Sequence, residues 1–199
     1  MIRIGCATAA LAVAFLVSTT ASAQTPVPQT TRQPETAAAA PFDARTFIEK
    51  MTVVNLAETH LGRMAQQQGE DDDVKDFGGQ MVKDHKAANE TLQQIAAKLK
   101  VKTPTELDAK HRDLADKLSK LRGAQFDREY ITAMVQGHEE VRSMLLAQIG
   151  SQRASPSQNT RSNASETEKD LREWTRETLT HVEQHLEEAR EIQKELASR

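Results

Sequence analysis

Apolar residues recur at three- and four-residue steps in four long stretches of this chain, and each recurrence is interrupted once by a titratable residue. In the stretch from Phe77 to Leu99 the stripe is Phe77, Met81, Ala88, Leu92, Ile95 and Leu99, with His85 filling the gap at the helical register. An earlier stripe runs Phe47, Met51, Val54, Glu58, Leu61 and Ala65. A later one runs Phe126, Tyr130, Met134, His138, Val141, Leu145 and Ile149, and the last runs Leu171, Trp174, Thr178, Val182, His185, Ala189, Ile192 and Leu196. Each pattern predicts an amphipathic helix that buries one face.

Boundary signals frame these helices. The first is expected to begin at Asp43, which can cap free backbone N–H groups, with Phe42 and Phe47 as a hydrophobic staple, and to stop at Gly69. The second is expected from Asp72 or Asp73 to about Lys100, its Gly78-Gly79 pair implying close approach of a neighbouring helix or a kink. Thr103-Pro104-Thr105-Glu106 combines an N-cap, a first-turn proline and a capping-box glutamate, which predicts a short helix from Pro104 to about Leu121. The third long helix is expected from about Ala124 to Ile149. Residues 150–165 read as a flexible loop, and Ser165 with Glu168 as a capping box opening a helix that runs to about Ala197.

No strand pattern intervenes, so the expected fold is all-α: an antiparallel four-helix bundle with a short extra helix before the third bundle helix. Antiparallel packing would bring Glu58, His85, His138 and His185 to the central region of the core.

The N-terminus changes the picture of where the chain works. Residues 1–23 show a basic start at Arg3, an apolar run from Ala7 to Val17 and Ala21-Ser22-Ala23, the pattern of a secretory signal peptide. That run is shorter than the ~20 residues needed to span a bilayer, and no later segment approaches that length. The expected location is the periplasm or cell envelope, with no transmembrane segment after signal removal. Residues 24–41 hold four of the six prolines and read as a disordered Pro/Ala/Thr-rich tether to a domain at 42–197.

Cysteine chemistry is excluded once the signal is gone, because Cys6 lies within it and is the one cysteine of the chain. Removing residues 1–23 from the 199 leaves 176 and takes the formal charge from −3 to −4 by loss of Arg3. That balance offers neither a nucleic-acid footprint nor a polybasic membrane patch. There is no nucleotide-binding glycine loop and no serine–histidine–aspartate arrangement.

What remains is the set of interrupted stripes. Three imidazoles and a carboxylate form a first shell for one zinc, copper, iron or manganese ion. Met81 and Met134 each stand one turn before a histidine of the set, Asp84 adjoins His85, and His181 precedes His185 by one turn. The competing explanation is a buried polar network that fixes helix register, with the methionines as core filler. His60 and His111 are assigned no role. An internal echo, FGGQMVKDHKAANETL against YITAMVQGHEEVRSML at an offset of 53, pairs His85 with His138.

Leu56-Ala57-Glu58 with Leu61-Gly62, Met81-Val82 with Asp84-His85, Ala88-Asn89, Pro104 to Asp108, Leu118 to Leu121, Phe126-Asp127-Arg128, Tyr130, Met134-Val135, His138, and His185-Leu186 with Ala189 stand in an order with a family parallel. From about Phe47 to Ile192 the chain resembles the exported bacterial domain-of-unknown-function family 4142. The resemblance implies a ferritin-like helical bundle in the cell envelope, with recurring polar residues at Glu58, Asp84, His85, His138 and His185. Members are often labelled predicted outer membrane proteins, a label that no barrel-strand pattern supports here. A ferritin-type dinuclear centre needs Glu-x-x-His on two helices, and the residues three before His85, His138 and His185 are all valine, so ferroxidase chemistry is not expected.

The leading functional expectation is therefore a non-enzymatic exported bundle that binds one transition-metal ion through Glu58, His85, His138 and His185, in metal handling or stress tolerance. A structural or interaction module of the envelope with a protein partner is the second reading, and a redox enzyme at the same site the third.

Overall fold

The computed structural model describes residues 43–154 and 166–199, which form five α-helices and, among the described residues, no strand. The signal, the tether, Phe42 and the Ser165 cap lie outside the described residues. Helix α1 spans Ala44–Gln68, and the Asp43 carboxylate accepts hydrogen bonds from the Arg45 and Thr46 amides at its start. Gly69 caps its other end, donating to the Ala65 carbonyl. Helix α2 spans Asp72–Lys98 with Asp71 as its cap. Both long helices begin and end within a few residues of the predicted positions.

The connection between α1 and α2 is only three residues, 69–71, so the two run side by side as a hairpin. The glycine pair serves close approach at one of its two members. A Cβ on Gly78 would stand 2.7 Å from Ala65 Cβ and 2.8 Å from the Gly62 carbonyl oxygen, and one on Gly62 would stand 2.6 Å from the Gly78 oxygen. Gly62 and Gly78 thus let the two backbones nearly touch, whereas a Cβ on Gly79 would meet only the end of the Gln66 side chain, at 3.1 Å.

Two boundaries differ from expectation. The short helix α3 spans Ala109–Ser119 and begins one turn after Pro104, because Asp108, not Thr103, provides the cap and accepts from the His111 amide at 2.9 Å. After α2 the chain passes to α3, which lies against α1 and α4, and the residues before Asp108 make that connection without helix. An extended residue advances about 3.3 Å where a helical one advances 1.5 Å. Helix α4 spans Gly123–Ala154 and so runs four residues past Gly150, where a flexible loop was expected to start. A lone glycine in a helix costs only about 1 kcal/mol, too little to end so long a helix. Helix α5 spans Glu166–Ser198.

Helix α4 packs on α5, α2 on α5, and α1 on α4, while α3 lies against both α1 and α4. Two apolar clusters fill the interior. One gathers Leu61, Met64, Phe77, Met81, Phe126, Tyr130, Met134, Ala189 and Ile192; the other gathers Phe47, Ile48, Met51, Val54, Leu92, Ile95, Val141, Leu145, Leu171, Trp174 and Val182. On every long helix the stretch between its two sets of apolar residues holds the interrupting position: Glu58 on α1, His85 on α2, His138 on α4 and His185 on α5. The core is two apolar blocks separated by a polar layer.

Candidate functional site

Each histidine of the layer is held by one ring nitrogen. His85 Nδ1 lies 3.1 Å from Asn55 Oδ1, His138 Nδ1 lies 2.8 Å from the Met134 carbonyl oxygen, and His185 Nε2 lies 3.1 Å from Asp84 Oδ2. All three partners offer oxygen acceptors, so the bonded nitrogen carries the proton in each ring and the other keeps its lone pair. Those other nitrogens, His85 Nε2, His138 Nε2 and His185 Nδ1, are buried without a hydrogen-bond partner. The rings are packed together, with centroids 5.5 to 5.8 Å apart, and one nitrogen from each lies within 4.8 Å of the other two.

The surroundings keep these rings neutral. The residues are 2–5% exposed. Burial, followed by repulsion from the neighbouring imidazoles, drives His85 well below its ordinary value, and burial brings His138 down to about 4. Burial also lowers His185, although the Asp84 carboxylate pulls the other way. A neutral imidazole with a fixed tautomer is the form that donates a lone pair to a metal ion.

The predicted residues divide into those that converge and those that do not. His85, His138 and His185 converge; Glu58 does not join them at that separation. Its carboxyl is buried, Oε2 has no partner, and burial alone pushes it up to about 8. It opens instead onto a cleft between α1, α3 and α4. Asp84 is half-buried and touches the site through His185. His181 is exposed and stacks its ring on His185 at 6.5 Å, on the outer side of the cluster. Met81 and Met134 are buried in the first apolar cluster, and the backbone carbonyl of Met134 is what reaches a histidine. His60 is exposed, and His111 bonds Asp108 at 2.6 Å, so neither enters the layer.

Asn55 is the site residue that sequence reasoning missed. It sits three residues before Glu58 on the buried face, and its polar side chain on that face was the available signal. Tyr130 is a second case: it occupies an apolar position, yet its hydroxyl is buried without a partner, and burial and the Glu58 charge together hold it well above the usual phenol range.

An all-helical protein with a buried layer of three convergent, neutral imidazoles is the class that this fold and site define. Within that class, the chain belongs to the family described as domain of unknown function (DUF4142), whose profile matches residues 28–192. The resemblance carried by its dispersed motifs is thereby confirmed. No curated protein matches the chain, and neither does any solved structure.

Proposed function

We propose that the protein is an exported, ferritin-like four-helix bundle that binds one transition-metal ion through His85, His138 and His185. One observation carries the reading: three buried imidazole nitrogens, each the free nitrogen of a ring already anchored at the other, have no partner, and their rings pack against one another in one cluster. A polar network kept only for helix register would satisfy those nitrogens against one another or against neighbouring donors. Tetrahedral zinc holds imidazole nitrogens at 2.0–2.1 Å, and so roughly 3.4 Å apart. From separations of up to 4.8 Å, each nitrogen needs to move inward by about 0.8 Å at most.

The donor set narrows the metal. Three imidazoles with neither thiolate nor convergent carboxylate favour zinc or copper over manganese, which prefers oxygen. Asn55, the Met134 carbonyl and Asp84 would orient the ligands, and the fourth position is left for water or cargo. The reading is therefore of metal handling or metal-stress tolerance in the cell envelope.

Metal titration of the purified protein and of a His85→Ala, His185→Ala double variant, followed by thermal melting, tests it. The wild type is expected to bind near one equivalent of zinc or copper and to melt higher when loaded, by RT ln(1 + [L]/Kd) in stability, and the variant to do neither. Equal binding by the two proteins would overturn it.

A further inference from the structure

Glu58 marks a second site that the histidine cluster does not use. Between α1, α3 and α4 lies a cleft of about 700 Å³, within the roughly 300–1,000 Å³ range of small-molecule pockets. Its walls are largely apolar, formed by Val53, Val54, Leu114, Ala133, Val141 and Met144. Of the charged groups at its edge, Lys110 is matched with Glu140 at 2.5 Å, His111 with Asp108 at 2.6 Å and Glu49 with Arg45 at 4.0 Å, while Lys50 forms no ion pair among the described residues. Glu58 is also unmatched. It lines the cleft at 6% exposure, its Oε2 has no hydrogen-bond partner, and among the described residues no cation offsets its charge. The absence of a side chain at Gly137 leaves room beside it, since a Cβ there would come within 3.6 Å of Glu58 Oε1.

A buried carboxyl with no counter-charge, facing a space with apolar walls, is complementary to a cation with an apolar body. We propose that this cleft binds a small organic ammonium compound, with Glu58 as the counter-ion of its head and the α1, α3 and α4 walls enclosing its body. Burial holds the free carboxyl protonated near neutral pH. On binding, the carboxyl proton leaves to solvent and an N–H of the ammonium donates to the carboxylate oxygen, so one proton is released per ligand bound. An anionic ligand of the same shape would face a like charge or a protonated carboxyl.

Isothermal titration of the full chain with 2-phenylethylammonium, 2-phenylethanol and 3-phenylpropanoate, in two buffers of different ionisation enthalpy, tests the proposal. The ammonium is expected to bind about tenfold or more tighter than the alcohol, with release of close to one proton, and the carboxylate more weakly than either. In Glu58→Gln the ammonium and the alcohol are expected to bind within about twofold of each other, with no proton release. Ala133→Phe, which narrows the cleft but keeps the carboxyl, should weaken both ligands together and leave their ratio intact. Equal binding of ammonium and alcohol to the wild type would overturn the proposal, as would an ammonium affinity unchanged in Glu58→Gln. Metal stoichiometry is expected to be the same in Glu58→Gln as in the wild type, so this proposal and the histidine site stand or fall separately.

Discussion

Replacing Glu58 by Gln should change how stability depends on pH, and the size of the change follows from burial. Folding raises the Glu58 carboxyl from 4.5 to about 8, with desolvation as the cause. The folded state therefore holds a proton that the unfolded state gives up between those values. Stability from this group is fully present below 4.5, is lost progressively as pH rises, and is exhausted above about 8. At 1.36 kcal/mol per pH unit the full loss comes to about 5 kcal/mol. Glutamine keeps the shape and never ionises, so Glu58→Gln should lack this loss. Urea unfolding of both proteins at pH 5, 6, 7, 8 and 9 measures it. The stability of the variant relative to the wild type should climb by about 1.4 kcal/mol per unit through the middle of that range and then level off. Lowered histidines such as His138 give the opposite slope at lower pH, but they are present in both proteins and cancel in the difference. Parallel pH profiles would refute the reasoning, since they would mean that the carboxyl ionises as freely when folded as when unfolded.

The remaining expectations concern packing and the histidine site. Gly78→Ala should destabilise by about 1–3 kcal/mol, because its methyl would press on Ala65 and the Gly62 carbonyl, while Gly79→Ala should stabilise by up to about 1 kcal/mol through helix propensity. Thermal melts of the two variants read this directly, and a rise in melting temperature for Gly78→Ala would contradict the close approach of α1 and α2. Asp127→Ala should lower the urea midpoint by about 1–3 kcal/mol of stability, since the buried carboxylate of α4 accepts from the amides of Glu70 and Asp71. An unchanged midpoint would mean that water serves those amides equally well. Asp84→Asn should weaken metal binding by about 10–100-fold while leaving the melting of the metal-free protein nearly unchanged, as expected of a group that orients His185 without ligating.

The helices were legible because their stripes are long and their caps local: Asp43 and Gly69 act on residues next to them in sequence. Pro104 shows where local signals fail. Thr103 to Glu106 satisfies the rule for a helix start, yet the helix begins only after Asp108, whose carboxylate accepts from the His111 amide and provides the cap. Local signals fail also for Asp127, whose role as acceptor for the link between α1 and α2, 56 and 57 residues away, no window of sequence contains. For the site, periodicity placed all four interrupting residues in the central region of the core but could not say that they share a layer or which way each turns. Glu58 shares the layer and faces the cleft between α1, α3 and α4, and where α3 lies against the other two is not encoded in the stripes of the long helices.

The 53-residue echo gains a physical meaning from the way its members meet. Phe77 and Tyr130 pack edge to face at 6.3 Å, His85 and His138 do so at 5.8 Å, Met81 and Met134 share the first apolar cluster, and Leu92 and Leu145 share the second. Corresponding positions of α2 and α4 thus lie at matching levels of the core. If the echo reflected only two helices meeting the same general demand for apolar residues, level-by-level correspondence of an aromatic, a methionine, a histidine and a leucine would not be required. Shared depth requires it, because each level is completed by side chains from both helices. At the histidine level that completion leaves ring nitrogens unpaired, whereas at the levels above and below it leaves closely packed apolar surface. The polar level therefore gathers three ring nitrogens that the described residues leave unpaired, and this gathering is the physical ground for assigning it a ligand.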